Sequence, residues 1–144
     1  MKFPVSTVEG GKSINGPPDV CFTPPPPPLV PPGVPVPYPN MADHGDAKKT
    51  TKKVLVKGKK CLIEGSFIPS SMGDELGCNM PIPNGKKGIK SRTNTDKCEF
   101  SQHSGKVKME GKGVIFHTAS TKMNKQNTIG KHATPSQRVV LTEK

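Results

Sequence analysis

Four cysteines (Cys21, Cys61, Cys78, Cys98) and four histidines (His44, His103, His117, His132) are the residues of this 144-residue chain with the widest chemistry. Imidazole and thiolate in these numbers suffice for a tetrahedral metal site. The cysteines show no CxxC spacing, so neither a zinc finger nor a dithiol redox motif is written; in a reducing compartment they are thiols or scattered metal ligands. His117 follows the apolar run VIF at 114–116, whereas Cys21 and Cys78 sit in stretches constrained by proline and glycine. Simpler roles compete, because a cysteine is often a small buried hydrophobe and a histidine at a strand end often only a hydrogen-bonding group. Asp74 and Glu75 form a carboxylate pair, yet neighbours in a Gly-rich loop usually point apart and cap turns. No nucleophile–base motif, phosphate loop or HExxH is present, and the expectation is a protein that is not an enzyme.

The elements that must position these groups are short. With 17 Pro, 15 Gly and no Trp, the chain disfavours long helices and favours brief strands joined by fixed turns around a thin core. VLVKGKKCLI at 54–63 places two apolar runs around a Lys-Gly-Lys turn, a β-hairpin signal. The pattern returns as VKMEGKGVIF at 107–116, with Gly111 under Gly58, Met109 under Val56 and Ile115 under Leu62. Such a repeated hairpin buries its apolar face only by stacking on a neighbour. Residues 65–84 read as an ordered loop and 97–101 as a further strand. Residues 1–16 read as an N-terminal arm or edge strand, and the polar stretch 128–144 as a flexible tail.

The net charge is +11, with lysines clustered at 48–60 and a second basic run at 86–92. Nucleic acid is the reflex partner for such a charge. A single Tyr, the absence of Trp, and arginine only at Arg92 and Arg138 leave little for base stacking or bidentate base readout, so the expectation is no nucleic-acid partner. A solvated face or a docking surface for an acidic partner is the reading retained. Neither a signal-peptide core nor an apolar span of membrane-crossing length is seen, and the chain is expected to be made in the cytoplasm. Residues 17–39 are dense in proline and favour an extended polyproline strap that contributes few backbone donors.

Several blocks together resemble a known family. DVCFTPP at 19–25, PGVPVPYPN at 32–40, GDELGC at 73–78 and VKMEG at 107–111 followed by His117 are similar, in order and spacing, to the PAAR-like proteins of contractile injection systems. The resemblance covers roughly residues 16–127. It implies an all-β fold, a small cone of stacked β-hairpins with residues 17–127 as the domain and the proline stretch as a strap along its flank. It also implies a spike-tip role: capping and sharpening the trimeric spike of a type VI secretion or related system, one tip per trimer. The tip would pierce target membranes, in some members recruit effectors, and leave the cell with the apparatus without a signal peptide. Its implied cofactor is a structural zinc ion. The positions matching the family's ligand types are Cys21, Cys78 and His117, with His44 or His103 to complete four-coordination; the family's closing His-Asn-His triplet is replaced here by Met123-Asn124-Lys125.

Two other readings accompany it. A proline-rich interaction module would bind through the 24–39 stretch alone. A small Cys- or His-dependent toxin enzyme would need a nucleophile–base pair that the sequence does not spell out.

Overall fold

The computed structural model describes residues 1–23, 34–75 and 88–144. Its largest element is a six-stranded antiparallel sheet in the order β5 (Met41–Asp43), β2 (Lys12–Asn15), β13 (Thr128–Thr134), β12 (Ser120–Met123), β9 (Cys98–Phe100) and β8 (Phe67–Ile68). Strand alternation sends Thr121 and Met123 of β12 inward and Ser120 and Lys122 outward, as a sheet with one buried face requires. The sheet all but closes on itself, because Lys48, just beyond β5, pairs with Phe67 of β8. A 3-10 turn spans His44–Asp46 and is capped by Asp43, whose carboxylate accepts from the Gly45 amide. The all-β expectation therefore holds.

Two tight hairpins lie outside this sheet: β6 (Leu55–Val56) with β7 (Lys59–Lys60), and β10 (Lys108–Met109) with β11 (Lys112–Gly113). Both turns place two successive residues at positive φ, Lys57 (52°) and Gly58 (75°) in one, Glu110 (52°) and Gly111 (79°) in the other. This is the type I′ geometry that matches the twist of the flanking strands, and it explains the shared Gly of the sequence repeat. A third ladder has no turn at all. β14 (Leu141–Thr142) pairs with β1 (Phe3–Pro4), so the two ends of the chain build it jointly.

These three ladders feed a closed triangle. Isolated bridges join Thr7 to Cys61, Ile63 to Val114 and Phe116 to Val5. At its centre Ser6 N–H donates to Ile115 O (2.9 Å), Ile115 N–H to Leu62 O (3.0 Å) and Leu62 N–H to Ser6 O (2.9 Å). A second ring follows the same rule: Val8 to Lys60 (3.0 Å), Glu64 to Gly113 (2.8 Å) and His117 to Pro4 (2.8 Å). Residues 5, 61 and 114 are thus equivalent about a pseudo-three-fold axis, as are the ladder pairs Leu55–Lys60, Lys108–Gly113 and Leu141–Pro4. Equivalent side chains share one core cluster: Val5, Cys61 and Val114 are wholly buried, with Val107 and Val140 packed against them. A second cluster under the ring contains Leu62, Ile115 and Phe116.

The structure revises the reading of three segments. The stretch 128–144 is not a loose tail: β13 is the longest strand and lies inside the six-stranded sheet, because Thr128, Gly130 and His132 alternate inward. The arm 1–16 likewise supplies one side of the triangle and the second strand of the sheet. The proline strap also differs from a bare extended segment. β4 (Val34–Tyr38) pairs with β3 (Asp19–Thr23) over its full length. Prolines at every second position, Pro35 and Pro37, remove donors from one edge only, and Val34, Val36 and Tyr38 keep amides for the other.

Candidate functional site

Residues expected to bind metal fall in two separate places. The first is built on β3. Asp19 and Cys21 are alternate residues, so both face the interior, and neither is exposed to solvent. Asp74, equally buried, approaches from the loop after β8, and the ligand atoms of Asp19, Cys21 and Asp74 lie within 4.8 Å of one another. Cys78, the expected companion, lies outside the described residues.

Asparagines surround the two carboxylates. Asn40 Nδ2 donates to Asp19 Oδ2 at 2.7 Å, and Asn127 Nδ2 donates to Asp19 Oδ1. Asn124 Nδ2 donates to both Asp19 Oδ2 and Asp74 Oδ2. The orientation of the Asn124 amide follows from its other end, where Oδ1 accepts from the Asp96 amide (2.7 Å) and the Ser71 hydroxyl (3.1 Å). Asn124 has a backbone φ of 49°, a left-handed conformation that Asn tolerates better than most residues. Thr95 N–H donates to both oxygens of Asp74 at 3.2 Å. Burial nevertheless pushes the Asp74 pKa up to about 6; the Thr95 amide opposes the rise and the Asp19 charge adds to it.

The second place is a row of imidazoles. His132, inward-facing on β13, lies 4.2 Å from the His44 ring and 5.3 Å from the His117 ring, centre to centre. His132 Nε2 lies 2.8 Å from the Thr134 carbonyl, and its Nδ1 lies 2.7 Å from the Ser6 hydroxyl and 3.3 Å from the Phe116 carbonyl. His44 Nε2 meets Ser13 Oγ at 2.9 Å, while the Nδ1 atoms of His44 and His117 are buried without a hydrogen-bond partner. Room for His44 depends on Gly11, where a Cβ would stand 2.5 Å from its Nδ1. Burial and the neighbouring His132 lower the His44 pKa to about 3, burial lowers that of His132 to about 4, and His117 is lowered by burial and by Arg138.

The structure therefore separates Cys21 from the histidines: its neighbours are Asp19 and Asp74, whereas His44 and His117 flank His132. His103 is at the surface, 3.6 Å from Glu64. Sequence reasoning passed over Asp19, Asn124, Asn127 and His132 as members of these clusters. The i, i+2 spacing of Asp19 and Cys21 on a strand was the one local signal available for the first.

Residues 12–130 match the family Tox-PAAR-like, the Toxin PAAR-like domain. The chain belongs to this PAAR-like family. Over 115 residues, 79% of its length, it is 41% identical to the DNase toxin Tse7 of Pseudomonas aeruginosa, of which it spans 28%. No solved structure matches. These comparisons correct the expectation that the protein is not an enzyme, since the relative is by name a DNase and the family a toxin domain.

Proposed function

We propose that this chain is the PAAR-like module of a toxin effector, seated as the tip on the trimeric spike of a type VI secretion or related contractile injection system and exported with it. The observation that supports this is the ring of Ser6, Leu62 and Ile115, through which one asymmetric chain presents three equivalent ladders. A single protomer can in this way match a three-fold partner without a symmetry clash. Leu55 (51% exposed) and Leu141 (45%) occupy equivalent ladder positions and, with Val54 and Val139, offer apolar contacts for that partner. Val56, next to Leu55 in the same strand, is buried in the core. The lysines of the hairpin ends suit an acidic rim on the spike.

Mixing the purified chain with a trimeric spike protein of such a system, followed by size exclusion with light scattering, tests this reading. One chain per trimer supports it. No complex at micromolar concentrations leaves only the fold.

The name of the relative favours an associated activity on DNA, with this chain as the part that carries it to the target. Plasmid degradation assayed with the chain alone, and with the chain in its natural polypeptide context, decides whether such activity resides in the PAAR-like module or beside it.

A further inference from the structure

We infer that Asp19, Cys21, Asp74 and the Oδ1 atom of Asn40 form a binding site for one structural divalent cation of zinc type, distinct from the histidine row. The inference stands apart from the spike-tip reading. Asp19 and Asp74 are wholly buried, and none of the ion pairs among the described residues involves either. Amides donate to them: Asn40, Asn124, Asn127 and the Thr95 backbone. Two carboxylates sharing a dry pocket with neutral donors need a proton or a cation to balance them.

The donor set discriminates among cations. Asp19, Cys21 and Asp74 hold their ligand atoms within 4.8 Å of one another, close enough to converge on an ion with bonds of about 2.0–2.3 Å after a small contraction. The fourth donor we assign is on the side chain that already holds Asp19. Asn40 is 1% exposed, its Nδ2 is committed to Asp19, and its Oδ1 is buried with no partner. One thiolate among oxygen ligands excludes the all-oxygen preference of magnesium and calcium and suits zinc. Asn124 and Asn127 are then the outer groups that orient the Asp19 and Asp74 carboxylates. Binding deprotonates the Cys21 thiol and releases that proton, so uptake strengthens as pH rises. The ion would tie the proline-flanked hairpin β3–β4 to the loop that carries Asp74.

The test uses the full chain, stripped with a chelator and reloaded with zinc alone or cobalt alone. Expected are one zinc per chain by elemental analysis and a rise in melting temperature of about 5 °C or more on reloading. X-ray absorption of the unaltered zinc-loaded chain should show one sulfur and otherwise oxygen or nitrogen neighbours, without imidazole scattering. The cobalt form should show a thiolate charge-transfer band that Cys98→Ala retains and Cys21→Ser loses, and Asn40→Ala should weaken zinc binding on the order of tenfold. No stoichiometric zinc after reloading overturns the site. So do imidazole or a second sulfur in the absorption spectrum, which need no variant to fold, and so does a band that survives Cys21→Ser in a folded protein.

Discussion

The rings of His44 and His132 lie 4.2 Å apart, and both side chains are buried to within 1% of full exclusion from solvent. Neither can take up a proton without placing a charge in the core beside the other.

Acid should therefore destabilise the fold. Both histidines have folded pKa values, about 3 and about 4, below their unfolded value of 6.5, so the unfolded chain binds more protons once pH falls below 6.5. Their contribution is present in full above that pH and is lost progressively down to the folded values. At pH 5 the loss is about 2 kcal/mol for each. In the metal-free chain Asp74 runs the other way: its raised pKa of about 6 favours folding as pH falls below 6, and offsets part of the loss. Urea midpoints at pH 7 and pH 5 should show a net fall, and His132→Gln should flatten the dependence.

Asn124 joins four segments through one side chain, so its removal should cost far more than a surface substitution. Asn124→Ala leaves Asp19 and Asp74 short of donors in a buried site and strands the Asp96 amide. A loss of about 3–5 kcal/mol is expected in denaturant unfolding. Asn124→Asp should be at least as damaging at pH 7, because it adds a third carboxylate and removes the shared donor.

Gly58 and Gly111 hold equivalent places in the two I′ turns, with open space around each α-carbon. Replacing either with Ala should cost about 1 kcal/mol, from positive φ alone, and by similar amounts at the two sites. Gly113→Ala should cost more, since its Cβ would meet the Ser104 carbonyl oxygen at 2.4 Å.

The last strand should behave as core structure. Gln137 Nε2 donates to the carbonyls of Val5 (2.7 Å) and Val140 (2.9 Å), and Val5 N–H donates to Val140 O (2.9 Å). Deleting residues 136–144 should lower the melting temperature by about 10 °C or more and remove exchange protection at Val5. A tail would leave both unchanged.

How much of this was written in the sequence depends on whether each interaction was local. The hairpins at 54–63 and 107–116 were legible because strand, turn and strand are contiguous and the Gly positions declare the turn. The third ladder was hidden although it obeys the same rule, since its strands stand at opposite ends of the chain with no turn between them. Polar composition made β13 look like a tail, because inward Thr128, Gly130 and His132 carry no apolar signature; Gly130 is needed where a Cβ would strike Ile14 O at 2.3 Å.

By itself, then, the sequence determined the β class and the two turns, which rest on residues near one another in the chain, and the family, which rests on the order of short contiguous blocks. The tertiary structure alone decided the pseudo-three-fold ring and the partners of each candidate ligand. It set Cys21 beside Asp74 and His44 beside His132, because burial and convergence are properties of where strands meet, and composition does not encode where they meet.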